Sequence, residues 1–167
     1  MIEYTEEFKR GMKEGYAQAK REMHKYRYDE LTTLPMRHDF KARINELYKK
    51  KIMFHLVLAD VNGLKRTNDT YGYVAGDALI VACVDHLKEC APDADVYRYS
   101  GDEFCILVVG KSELHSEDLN CPTDICALAT KFSNNYSSYN ELFEATNKLL
   151  KQRKAEHYIK FPNDRRK

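Results

Sequence analysis

The sequence predicts a mixed α/β domain built on a central sheet, and three observations carry that prediction. Ile52 to Ala59 (IMFHLVLA) is a nearly continuous apolar run, the mark of a short strand buried on both faces. Val96 to Val109 (VYRYSGDEFCILVV) sets two β-rich runs around the polar centre Ser100-Gly101-Asp102-Glu103, the pattern of a β-hairpin with glycine in the turn. Apolar residues at helical spacing fill much of the rest.

Glu3 to about Tyr28 has no proline and is rich in Lys, Glu, Ala and Met, so it predicts a helix. Phe8, Met12, Tyr16, Ala19, Met23 and Tyr26 form one apolar stripe on its otherwise charged surface. Such a stripe most often packs on its own domain; it equally suits a stub leading from a sensor, or a dimerising helix. In Asp29 to Phe40 (DELTTLPMRHDF) Pro35 sets a turn, after which Phe40, Ile44 and Leu47 resume helical spacing.

The central strand ends in Asp60, followed by a loop running from Val61 to Asp77. Its acidic and amide residues begin like a calcium loop, but Leu64 replaces an oxygen ligand and Gly63 comes two places early, which excludes that reading. An acid after a buried strand, then a small residue and a lysine, suits a metal-bound phosphate. Backbone N–H groups near Gly63 can approach the phosphate and Lys65 can pair its charge.

Asp77 to Cys90 opens on an N-cap type of residue and predicts a helix deep against the sheet. Gly110 to Thr123 is polar with little periodicity, Ile125 to Phe132 predicts a further strand, and Tyr139 to about Tyr158 predicts a helix with Leu142, Phe143, Leu149 and Leu150 inward. Pro162 to Lys167 reads as a frayed basic tail.

With 27 Lys plus Arg against 26 Asp plus Glu, the net charge is +1, so no overall basic field argues for nucleic acid or an anionic membrane. No apolar run is long enough to span a bilayer and no hydrophobic signal core opens the chain, which predicts a cytoplasmic protein. The five cysteines form no metal-ligand spacing and read as free thiols, some of them small core residues.

Chemistry is concentrated in the acids. Asp102 and Glu103 are adjacent beside a tight turn, where like charges raise one another's pKa unless a cation lies between them. A metal resolves that conflict.

Taken together, DELTTLPMRHDF (29–40), ADVNGLKRTNDTYGYVAGDALI (59–80), SGDEF (100–104) and a weaker match in the last helix resemble the GGDEF family, the bacterial diguanylate cyclases. The resemblance implies a palm-like nucleotide-cyclase fold, α+β, with a mainly antiparallel sheet flanked by helices. It divides the chain into an N-terminal helix at 1–28 (linker or dimerisation stub), a GGDEF domain at 29–160 and a basic tail at 161–167. The activity it implies is condensation of two GTP into cyclic di-GMP, a nucleotidyl transfer, by an antiparallel homodimer with one GTP per subunit. Nucleic acid is no partner, no membrane segment lies in the chain, and a sensor domain upstream is compatible with the N-terminal helix.

By position, the resemblance implies that Asp60 and Asp102 hold divalent metals, Mg²⁺ or Mn²⁺. Glu103 then assists the metal site or deprotonates the ribose 3′-hydroxyl. Gly63, Leu64 and Lys65 meet the phosphates, Asn68 and Asp77 read the guanine edge, and Arg153 stands about where a phosphate-binding lysine is expected. The alternative is a catalytically weak module that binds GTP or cyclic di-GMP as a regulatory or interaction domain.

The chain also departs from the family pattern. Ser100 replaces the first glycine of the signature, Asn62 an acid and Tyr73 a histidine. Pro92 stands where the Arg of the Arg-x-x-Asp product-inhibition motif belongs, although Asp95 is in place. In the last helix Ala145-Thr146 lacks the usual acid and Glu156-His157-Tyr158 replaces Gly-Arg-Asn. Too little helical pattern lies between Val109 and Ile125 for the helix the family places there.

Overall fold

The computed structural model describes residues 5–110, Leu114 and 126–164. The predicted polar stretch after Gly110, Leu114 excepted, and the last residues of the tail lie outside the described residues. In chain order come α1 (Glu6–Arg27), α2 (Arg37–Lys49), β1 (Phe54–Val61), α3 (Leu64–Tyr71), α4 (Tyr73–Cys90), β2 (Asp95–Ser100), β3 (Glu103–Val109), β4 (Cys126–Phe132) and α5 (Tyr139–Lys160). The strands form one antiparallel sheet in the order β2-β3-β1-β4, so the apolar β1 and β3 are its central strands. This is the flanked antiparallel sheet that the sequence predicts.

Side chains alternate across a strand, and here the alternation divides two cores. Val57, Ala59 and Val61 of β1 join Phe104, Ile106 and Val108 of β3 on the face covered by α4, against Ile80, Cys83, Val84 and Leu87. Phe54, Leu56 and Leu58 join Cys105 and Leu107 on the other face, under Phe40, Ile44 and Leu47 of α2 and Leu142 and Leu150 of α5. Cys83 and Cys105 are small core residues, as expected. Each face removes more than ten apolar side chains from water, at roughly 1.5–3 kcal/mol for each fully buried large one.

Several expectations need correction. The stripe on α1 does not pack on its own domain over its described part: Phe8, Met12 and Tyr16 are exposed. β1 runs one residue past Asp60, to Val61. Within the predicted loop, Gly63 takes the left-handed conformation (φ 66°) and starts α3, a conformation glycine adopts without a Cβ clash. Asp77 is no N-cap, because Gly72 at φ 85° turns the chain first and α4 begins at Tyr73, four residues earlier than Asp77. The start of the tail is ordered as a 3₁₀ turn, Pro162–Asp164, packed against α3 and α5.

Helix α5 begins where the sequence places it. Ser138 caps it by accepting a hydrogen bond from Glu141 N, while Glu141 accepts from Ser137 N and Oγ at 3.1 and 2.7 Å.

Candidate active site at the acidic end of the sheet

The site begins with strand register. Asp60 of β1 pairs with Glu103 of β3, and Val61 N donates to Asp102 O at 3.0 Å, so the hairpin turn closes beside the end of β1. Cross-strand partners share a face of the sheet. Continuing the alternation from Leu56 and Leu58, and from Cys105 and Leu107, that face is the one under α5. Asp60, Asp102 and Glu103 are thus brought to one end of two adjacent strands.

Their environments differ. Asp60 is only 4% exposed, Asp102 is half-buried and Glu103 is exposed. The Asp60 carboxyl is pushed up to about 6: burial raises it most, the Lys154 ammonium pulls against that, and the charges of Asp102 and Glu103 add to the rise. Lys154 Nζ stands 2.6 Å from Asp60 Oδ1.

This lysine is a cation that α5 delivers to Asp60. The signal for it was in the spacing. Leu142, Thr146 and Leu150 are buried at steps of four along α5, and the next step of that row is Lys154. Arg153 is half-buried beside it.

A second residue that sequence reasoning missed is Arg98, two places before the signature. Its Nη1 donates to Asp29 Oδ1 at 2.6 Å, and its Nε and Nη2 both donate to Gly101 O at 2.9 and 2.7 Å. Asp29 Oδ1 also accepts from Thr32 N and Oγ1 at 2.8 and 2.7 Å. Burial would raise the Asp29 carboxyl, but the hydrogen bonds from Thr32 and Arg98 outweigh it and hold the group below its ordinary value. The Asp29–Thr33 turn is therefore latched to the turn that carries Asp102 and Glu103.

The nucleotide-reading candidates lie on α3 and α4. Asn68 of α3 points its Oδ1, a buried atom, at Gly76 of α4, so closely that a Cβ on Gly76 would stand 1.8 Å from it. Gly76 adjoins Asp77, which is exposed, so the packing of α3 on α4 brings the two residues of the predicted guanine reader to one corner. Gly63 is buried, Leu64 half-buried and Lys65 exposed at the start of α3.

Asp95, the acid of the incomplete Arg-x-x-Asp motif, is held at 2.9 Å by Arg43 Nε, and Arg43 Nη1 also reaches Glu46 at 3.0 Å. Pro92 and Asp95 line the same open cavity of about 470 Å³, with Leu34, Lys88 and Tyr97.

The donors at the sheet end fit a divalent ion. Carboxylate oxygens suit Mg²⁺ or Mn²⁺, and Mg²⁺ is commonly held by one or two carboxylates with substrate phosphates completing its shell. Among the described residues no three acidic, histidine or cysteine side chains close into a metal cage by themselves. A cation, the Lys154 ammonium, sits at the buried member of the set.

Comparison with known proteins accords with this geometry. The family model described as diguanylate cyclase, GGDEF domain, matches residues 26–139. An uncharacterised protein encoded in the hutH 5′ region of Streptomyces griseus is 37% identical over 89 residues, covering 49% of this chain and 37% of that protein. An uncharacterised membrane protein of Staphylococcus aureus strain USA300 is 33% identical over 87 residues, covering 49% of this chain and 24% of that protein. The match thus spans well under half the length of these curated relatives. No helix among the described residues is long and apolar enough to cross a membrane.

Among solved structures, the coiled coil and GGDEF domain of DgcB from Caulobacter crescentus, in complex with c-di-GMP, superposes with a TM-score of 0.77 at 16% identity, over 90% of this chain and 92% of that one. The diguanylate cyclase SiaD of Pseudomonas aeruginosa, in complex with its activator SiaC, gives 0.67 at 18% identity, over 90% and 68%. The FimX GGDEF domain of the same species gives 0.69 at 14% identity, over 78% and 94%. These likenesses show a shared fold. The family match covers most of the chain, from the last two residues of α1 to the first of α5, and on that evidence the chain belongs to the GGDEF domain family.

Proposed function

We propose that this chain is a diguanylate cyclase module that joins two GTP molecules into cyclic di-GMP. The observation that carries the reading is the pairing of buried Asp60 with Glu103 across β1 and β3, with Asp102 in the adjoining turn. In each transfer a ribose 3′-oxygen bonds to the α-phosphorus of the other nucleotide and the bond to the β-phosphate oxygen breaks, releasing pyrophosphate. Asp60 and Asp102 would hold a divalent ion, whose chemistry would be to neutralise charge at the phosphates.

This chain's own residues supply the rest. Glu103 is exposed where a substrate hydroxyl can reach it, so it is the candidate to accept the proton. Asn68 and Asp77 present an amide and a carboxylate to a guanine edge, whose N1–H and exocyclic amine are donors and whose O6 is an acceptor. Adenine lacks that donor pattern and is refused. Lys65 and the backbone around Gly63 and Leu64 face the phosphates, with Arg153 and Lys154 as cations from α5. Each chain holds one nucleotide, so turnover requires a homodimer.

One observation favours the second reading, a module that binds nucleotide without efficient turnover. His157, in the segment that replaces Gly-Arg-Asn, is buried and packs its ring against Phe161 at 4.8 Å. No long basic side chain occupies that position.

Incubation of the purified protein with GTP and Mg²⁺, with mass analysis of the products, tests the proposal. Cyclic di-GMP is the expected product, and Glu103→Gln should lower its rate by about two orders of magnitude or more while GTP binding persists. GTP binding with no turnover would transfer the assignment to the binding module. A fully active Glu103→Gln variant would remove Glu103 from the chemistry.

A further inference from the structure

The ion pair at Asp60 carries an inference beyond the cyclase assignment, although it rests on reading Asp60 as a metal ligand. Lys154 sits on the inward row of α5, one step beyond the buried Leu142, Thr146 and Leu150. Its ammonium lies 2.6 Å from Asp60 Oδ1, and the two side chains are only 23% and 5% exposed. The packing of α5 on β1 and β4 thus aims a cation at the buried acid. The same lysine lines an open cavity of about 450 Å³ along α5, with Lys151, Ala155, Tyr158 and Ile159. Its ammonium stands on a flexible four-carbon stem, between a carboxylate and a groove bearing a second lysine.

We propose that Lys154 is a tethered stand-in for the divalent ion, which neutralises Asp60 while the site is empty and moves to the polyphosphate when a metal–nucleotide complex arrives. An ammonium and a divalent ion on one carboxylate repel each other, so metal binding alone must displace Lys154 into solvent. A triphosphate offers the displaced ammonium a new anion beside the groove. Metal and nucleotide therefore bind with positive coupling, and by linkage each raises the affinity for the other by the same factor. Lys154 acts as a positioning residue, because it sets when Asp60 is available.

The test measures Mn²⁺ affinity by electron paramagnetic resonance at pH 8 and matched free Mn²⁺, with and without a non-hydrolysable GTP analogue. Without nucleotide, Lys154→Gln should bind Mn²⁺ about ten-fold more tightly than wild type, whereas Lys154→Arg and Lys151→Met should stay near wild type. The analogue should tighten Mn²⁺ binding about ten-fold or more in wild type and much less in Lys154→Gln. Equal nucleotide-free affinity in Lys154→Gln and wild type, or tight binding by Lys154→Arg, would overturn the proposal.

Should Lys154→Gln fail to fold, the wild-type chain still decides the matter. The ¹⁵N resonance of the Lys154 ammonium should shift when Mg²⁺ and the analogue are added together, and with Mg²⁺ alone only at the higher concentrations that displace it into solvent; no shift with both overturns it. A wild-type chain that binds Mn²⁺ but no guanine nucleotide would sink the cyclase reading, and the nucleotide-free comparison of variants would still decide the role of Lys154.

Discussion

Arg98 and Asp29, 69 residues apart in the chain, meet at 2.6 Å, and the other two donors used by the same guanidinium both reach the carbonyl of Gly101 in the signature turn. One planar group thereby fixes the acidic turn against the Asp29–Thr33 turn, a geometry that an ammonium, as a point charge, does not reproduce.

Arg98→Lys and Arg98→Ala should therefore both destabilise the chain by about 1–3 kcal/mol, the usual cost of stranding half-buried charged partners. Amide exchange at Gly101 and Asp102 should quicken in both. Because the folded chain holds Asp29 below its ordinary pKa, the stability it contributes is present above that ordinary value and lost as pH falls through the lower, folded one. The Arg98 effect should accordingly shrink in strong acid. Full stability in Arg98→Lys, measured by urea unfolding, would show that the fork geometry is unimportant.

Thr33 closes that turn at φ 57°, a left-handed conformation that costs a β-branched residue about 1–2 kcal/mol. It is exposed, and its N–H donates to Asp29 O at 2.8 Å, a bond glycine keeps. Thr33→Gly is expected to raise stability by about 1 kcal/mol, part of the relieved strain being offset by the freer unfolded chain. A loss of stability in a denaturant titration would count against strain at this position.

Gly76→Ala tests the α3–α4 corner. The new methyl would meet Asn68 Oδ1 at 1.8 Å, so the Asn68 side chain must turn away. Alanine gains about 1 kcal/mol in helix propensity, which offsets much of the disturbance, so the melting temperature should change little. GTP affinity should nevertheless fall about ten-fold or more if Asn68 reads guanine. Unchanged affinity for GTP with Asn68 displaced would remove that residue from recognition.

Asp60→Asn addresses the buried acid directly. Its folded pKa is raised to about 6 from 3.8, so between those values the folded chain binds a proton that the unfolded chain has released. Stability is then highest with Asp60 protonated, falls as pH rises from about 4 to about 6, and is level above that; ionisation costs about 3 kcal/mol at pH 7 as an upper figure. In the absence of divalent ions, Asp60→Asn should be more stable than wild type by about 1–3 kcal/mol at pH 7 and indistinguishable from it near pH 4. Thermal unfolding across that range decides it, and a variant less stable than wild type at pH 7 would show that the Lys154 pair outweighs the burial.

What the sequence by itself determined is local. The apolar run of β1, the hairpin around Gly101, the turn at Pro35 and the Phe40-Ile44-Leu47 stripe are each set by neighbours within a few residues, and the alternation of β1 and β3 already assigns Asp60 and Glu103 to faces of their strands. The length of a helix start was less legible. Gly63 and Gly72 begin α3 and α4 inside what reads as one polar loop, because a left-handed glycine can end one element and open the next without an apolar pattern to announce it. What only the tertiary structure decided is which side chains answer the acids. Lys154 reaches Asp60 because the two-residue period of β1 and the four-residue row of α5 face each other when α5 docks, and Arg98 reaches Asp29 because β2 lies beside the turn, Arg98 N donating to Pro35 O at 3.0 Å. Each pattern is written along the chain, but an ion pair depends on how two of them are juxtaposed, and that is set by the packing of the whole core.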